Sequence, residues 1–131
     1  MRTWGRFIAR GTAAIGVLVS VTACYEGDPW GPIACTSQFV FGLTVTVRDQ
    51  SSTLPKAEDA TLTLREGAYV EVVTDSWDGT TLEGAGERSG TYAVTVEHPG
   101  YEAWTRAGVE ITEDECHVIP VSITADLIPV P

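Results

Sequence analysis

Thiols, imidazoles and carboxylates are the reactive groups of this chain, and the first two are scarce. The cysteines are Cys24, Cys35 and Cys116, and the histidines are His98 and His117. Cys35 and Cys116 can oxidise to a disulfide, stay as free thiols or share a metal. No second Cys or His stands near either one in sequence to complete a zinc set. No Gly-x-Ser-x-Gly elbow accompanies the histidines. His98 sits before Pro99-Gly100, a turn, and His117 follows Cys116. Asp75-Ser76-Trp77-Asp78-Gly79 places acids near a turn without the spacing of a calcium loop. Glu113-Asp114-Glu115 reads as a solvated loop. The glycines of 79–90 lack the Lys and the helix of a phosphate cradle. These residues predict no catalytic set, no metal site and no cofactor. The aromatics offer a different chemistry. Trp77 and Trp104 are candidates for a platform stacking a sugar or a peptide aromatic, beside a loop at 78–89.

Cys24 has its own context. Arg2, Arg6 and Arg10 precede an uncharged run from Gly11 to Ala23, and the cysteine follows Val21-Thr22-Ala23. A positive start, an apolar centre and small residues before a cut are the parts of a secretory signal. The run is 13 residues, against roughly 20 for a spanning helix. The arrangement resembles the lipobox of bacterial lipoprotein signal peptides. The resemblance implies that residues 1–23 are removed and that Cys24 carries a diacylglycerol on its sulfur, with acylation such as palmitate on the new amine. Each buried CH₂ contributes about 0.8 kcal/mol, and two or more chains anchor stably. The implied place is the cell membrane or outer membrane, on the exported face. The Tyr at position 25, where an Asp signals inner-membrane retention in the Gram-negative version, leans toward the outer membrane. An ordinary signal cut near Ala23 and an uncleaved anchor are the alternatives.

Removing that segment leaves 108 residues, enough for one domain with its own core. Five bases remain (Arg48, Lys56, Arg65, Arg88 and Arg106) against all eighteen acids, a net charge of −13. Such a surface repels nucleic acid and anionic head groups. It points to a body held off the bilayer, with the lipid as its membrane contact. With Cys24 assigned to lipid, Cys35 and Cys116 form an even pair in an exported protein, where disulfides persist. A bridge closing so long a loop stabilises by roughly 4.5 kcal/mol in the chain-entropy model.

Positioning these residues falls to strands. Residues 24–34 read as a short tether broken by Pro29, Gly31 and Pro32. Beyond it, apolar residues alternate with polar ones. Leu43, Val45 and Val47 alternate with Thr44, Thr46 and Arg48; Ala60, Leu62 and Leu64 with Thr61, Thr63 and Arg65; Tyr92, Val94 and Val96 with Ala93, Thr95 and Glu97. Val70 and Val72 flank Glu71, Val109 and Ile111 flank Glu110, and Val121, Ile123 and Ala125 complete the set. Period two puts one face in a core and one in water. The pattern predicts seven strands: 39–48, 59–66, 68–76, 80–83, 90–97, 101–107 and 116–126. Short strands with turn signals between them suggest an antiparallel sandwich or barrel. Pro120 lies inside the last segment and predicts an edge or a bulge there.

The stretch Leu43–Asp49, a polar loop with Pro55, and Ala60–Leu64 resemble the opening of carboxypeptidase regulatory-like domains. Gly90-Thr91-Tyr92-Ala93-Val94-Thr95-Val96 before Pro99-Gly100-Tyr101 is similar to that family's second half. Cys116–Val118 through Ala125–Leu127 looks like the last strand of its bacterial lipoprotein members. The resemblance covers roughly residues 35–127. It implies an all-β, seven-stranded antiparallel sandwich of the transthyretin or prealbumin type over 35–131. In metallocarboxypeptidases this domain is an accessory to a catalytic domain, so the resemblance lends a fold and no activity. Related Gram-positive surface modules form Lys–Asn isopeptide bonds. This chain has no Asn. The expected function is a non-catalytic, lipid-anchored envelope module with a structural or protein-binding role and an envelope protein or glycan as partner. The alternative is a carbohydrate-binding module using Trp77, Trp104 and the 78–89 loop.

Overall fold

A computed structural model describes Gly31 and residues 34–131; the 1–23 signal, Cys24 and most of the 24–34 tether lie outside the described residues. Among the described residues there are seven strands and no helix: β1 (Phe41–Asp49), β2 (Thr61–Glu66), β3 (Tyr69–Val73), β4 (Thr81–Gly86), β5 (Gly90–Glu97), β6 (Trp104–Ile111) and β7 (Val121–Leu127). They form a three-stranded sheet, β4-β1-β7, and a four-stranded sheet, β3-β2-β5-β6. The alternation explains how the sheets meet. Leu43, Val45 and Val47 of β1, Leu62 and Leu64 of β2, and Tyr92, Val94 and Val96 of β5 are all buried. The intervening threonines of these strands face outward or sit half-buried. Each strand thus contributes one apolar edge to a shared core, as a sandwich requires.

The sandwich is not wholly antiparallel. β1 pairs with β4 antiparallel, and with β7 parallel from Leu43↔Val121 to Asp49↔Leu127. β7 follows a connection from the other sheet, residues 112–120, long enough to re-enter beside β1 in the same direction. Arg48 and Asp126, opposite each other in that pair, form an ion pair on its outer side. Pro120 lies just before β7 and not inside it, so its missing N–H costs the ladder nothing. Residues 116–120 are connection, with an isolated bridge between Glu113 and Val118.

Three further expectations are corrected. β3 has the opposite parity: Val70 and Val72 are exposed, while Tyr69, Glu71 and Val73 turn toward the interior. The cause is Glu71, whose Oε2 accepts hydrogen bonds from the Ala85 N–H and the Tyr69 hydroxyl, both at 2.9 Å. A carboxylate bridging the two sheets fixes the strand's rotation more firmly than two valines at a sheet edge. The inward charge also discourages further strands from pairing at this edge.

The glycine-rich stretch 78–89, expected as a loop around a short strand at 80–83, is in large part strand β4. Its glycines answer to packing. A Cβ on Gly84 would lie 2.8 Å from Leu64 Cδ1, and one on Gly86 would run into the Phe39 ring. β6 also runs later than expected, 104–111, and carries a bulge. Val94 faces Arg106 and Tyr92 faces Val109, which leaves Ala107 and Gly108 opposite a single residue, with Gly108 at φ 69°.

Gly84→Ala tests the packing of β4. The added methyl meets Leu64 in a full core and costs about 1–3 kcal/mol, reduced by up to ~1 kcal/mol through the stiffer unfolded chain. Urea unfolding of the variant is expected to show the lower midpoint; an unchanged midpoint contradicts the close approach.

Candidate functional site

The strand directions give the sandwich two distinct ends. β1 and β7 both start near Cys35 and Cys116, and both run to the other end, where β4 begins. The first is the disulfide end, where the chain enters the domain. The second is the free end, built from the 50–60, 74–80 and 98–103 segments and residues 128–131.

At the disulfide end, Cys35 and Cys116 are bonded with their Cα atoms 5.2 Å apart. The surrounding polar groups are used up in turn structure. Asp114 Oδ1 accepts hydrogen bonds from the Cys116 and His117 N–H groups at 2.8 and 2.9 Å. Those backbone donors hold its carboxyl below the ordinary range. His117 Nδ1 meets Glu87 Oε1 at 2.9 Å, and its Nε2 meets the Thr36 hydroxyl at 3.1 Å. Glu87 also accepts from the Val40 N–H at 2.8 Å. Glu113 accepts from Ser89 at 2.8 Å. A cavity of about 360 Å³ is left between Glu87, Asp114 and His117. The acidic run is therefore a hydrogen-bonded turn that fastens residue 35, the start of β1 and the β6–β7 connection to one another.

At the free end the organising group is Asp49. The inward parity of Leu43, Val45 and Val47 continues to position 49, so a carboxylate occupies the last core position of β1, only 7% exposed. Its Oδ1 accepts from the Ser51 and Ser52 N–H groups, at 2.8 and 2.7 Å, and from the Ser52 hydroxyl at 3.0 Å. Its Oδ2 accepts from the Tyr101 hydroxyl at 2.9 Å. These donors, the Ser52 N–H first and the Tyr101 hydroxyl next, lower its pKa to about 2 against the opposing effect of burial. Tyr101 belongs to the four-stranded half, so this bond ties the two sheets at their far end. The ring is itself held. His98 packs edge-on at 4.9 Å, Lys56 Nζ lies 5.7 Å from the ring centre, and the backbone bridges Pro129. His98 Nδ1 donates to the Pro99 carbonyl at 2.7 Å.

The two candidate tryptophans are not brought together. β3 and β6 are opposite edges of the four-stranded sheet, and Trp77 follows one while Trp104 opens the other. Trp104 sits opposite Val96 and packs half-buried against the core. Trp77 is 89% exposed. Its turn is well held all the same. Ser76 Oγ donates to the Thr81 carbonyl at 2.7 Å, and Asp78 Oδ1 accepts from the Thr80 and Thr81 N–H groups at 2.8 and 2.9 Å. Asp78 is lowered in pKa by those same donors. Next to it a cavity of about 380 Å³ is lined by Lys56, Glu58, Asp59, Asp78 and His98. Among the described residues no three Cys, His, Asp or Glu side chains converge as metal ligands.

Sequence reasoning missed the Asp49–Tyr101 contact, although its parts were visible. Asp49 keeps the parity of the three apolar residues before it, and Tyr101 follows a Pro-Gly turn. No protein-family model matches this chain, and no curated protein matches it.

Two outcomes are expected. An Asp held at about 2 and near 3.9 when unfolded contributes stability above pH ~4 that disappears as pH falls from ~4 towards ~2. Unfolding midpoints measured across that range should fall more steeply for the native chain than for Asp49→Asn; parallel curves contradict the cluster. Tyr101→Phe removes one bond to a charged acceptor and should cost about 1.5–3 kcal/mol. An effect below ~0.5 kcal/mol, the size of an ordinary surface change, counts against it.

Proposed function

We propose that this protein is a non-catalytic module of a bacterial cell envelope, anchored by lipid on Cys24 and serving a structural or protein-binding role. On this reading residues 1–23 are a lipoprotein signal peptide. The domain that follows is of the carboxypeptidase regulatory-like, transthyretin type. The observation that carries the reading is Val21-Thr22-Ala23-Cys24 after a short apolar run with a positive start. The seven strands in sheets of three and four support the finer fold assignment. So does the Cys35–Cys116 bond, which suits an exported compartment. The bond also fits a mechanical role. Cys35 lies 11 positions after the proposed anchor, and its bridge fastens the chain where it enters the sandwich. Tension on the tether then reaches the β6–β7 connection directly and does not peel β1 from the sheet.

Residues 81–86 of the 78–89 segment are strand and not loop, and Trp104 packs on the core. Protein binding is therefore the better supported of the two roles.

Metabolic labelling with an alkyne palmitate in a bacterial expression host tests the anchor. The native chain should incorporate label and fractionate with membranes, and Cys24→Ala should lose both. Mass spectrometry showing an unmodified thiol at position 24 in exported protein overturns the reading.

A further inference from the structure

We infer that the free end of the sandwich is a docking surface for a protein partner that presents apolar side chains within a basic rim. This deepens the protein-binding reading above and is independent of the lipid on Cys24. Of the exposed large apolar side chains, four lie at this end: Trp77 at 89%, Leu54 at 60%, Val130 at 47% and Ile128 at 45% exposure. Topology sets them at the same end of three neighbouring strands. Trp77 lies in the turn that feeds β4, Leu54 follows β1, and Ile128 and Val130 continue β7. β4, β1 and β7 are neighbours in that order, at a spacing of about 4.8 Å. Each strand of the three-stranded sheet thus presents apolar surface to water at the same end.

None of these side chains is exposed through a loose backbone. The Trp77 turn is closed by Ser76 and Asp78, and the Thr80 carbonyl accepts from the Val47 N–H at 3.0 Å. The Leu54 carbonyl accepts from the Asp49 N–H at 2.9 Å. The Ile128 carbonyl accepts from the Glu102 N–H at 2.9 Å, and the Val130 N–H donates to the Gly100 carbonyl at 3.0 Å. Segments whose backbone is already held need no loop ordering on docking. An exposed Trp is also among the residues that most often dominate a protein interface.

Charge selects the occupant. Glu58, Asp59, Asp78, Glu97 and Glu102 lie at this end against Lys56, with Arg48 already paired to Asp126. A second copy of the chain would bring the same acids to the contact and be repelled. A partner whose apolar anchor is ringed by Arg or Lys satisfies both the apolar row and its acidic surround.

The probe is a synthetic heptapeptide of alternating arginine and leucine, titrated into the full-length, isotope-labelled chain in detergent solution. Its acidic twin has glutamate in place of arginine. Amide shifts are expected to concentrate in 52–56, 76–80 and 128–130, with no response to the twin. Trp77→Ala is expected to weaken binding roughly tenfold or more, and Val72→Ser, on the face of the other sheet, to leave it unchanged. Three results overturn the proposal: no saturable binding, shifts spread evenly over the acidic surface, or equal affinity for Trp77→Ala. A fourth does so in favour of a glycan, namely saturable binding of an uncharged hexasaccharide at Trp77 with no response to the peptide.

Discussion

The carboxylate of Asp49 sits where the two sheets must be joined, and much of the free end is arranged around it. A charge at a core position is costly unless every lone pair is met. Here two backbone N–H groups and two hydroxyls meet it. The same four bonds shape the turn after β1 and fix the Tyr101 ring from the other sheet. Tyr101 in turn positions the Pro-Gly turn, whose backbone bonds hold residues 128–130. One buried acid therefore coordinates three segments that do not neighbour each other in sequence.

The opposite end is fastened by covalent means. The Cys35–Cys116 bond joins the segment before β1 to the connection between the sheets, and Glu87, Asp114 and His117 pack hydrogen bonds around it. In between lies a plain apolar core of Val, Leu and one fully buried Tyr92, whose hydroxyl donates to the Arg88 carbonyl at 3.2 Å. The two ends of the sandwich are thus closed by different means, one by a covalent bond and the other by hydrogen bonds to a buried acid.

Much of this was legible in the sequence, and the failures share a cause. β1, β2 and β5 alternate cleanly because both of their neighbours are strands of their own sheet, so side-chain polarity alone decides which face turns in. The cysteine pair followed from counting. β3 was read inside out because it is an edge strand, where one inward hydrogen-bonded Glu71 outweighs two valines. β4 was read only as a short strand, 80–83, inside a glycine-rich loop, because glycine signals a turn by its freedom, whereas Gly84 and Gly86 are there for lack of room. The parallel β1–β7 pair leaves no local trace, since direction is set by a connection that crosses between sheets. Trp77 and Trp104 looked alike in sequence, and only their places at opposite edges of a sheet tell them apart.

The most direct measurement of the central claim is the titration of Asp49 itself, followed through its carboxyl carbon by NMR in the folded protein. The account predicts a midpoint near 2 with the fold still intact, together with loss of the Ser51 and Ser52 amide positions as the proton binds. A midpoint near 4, the value of an ordinary solvated aspartate, would show that the carboxylate neither holds the turn nor ties the sheets.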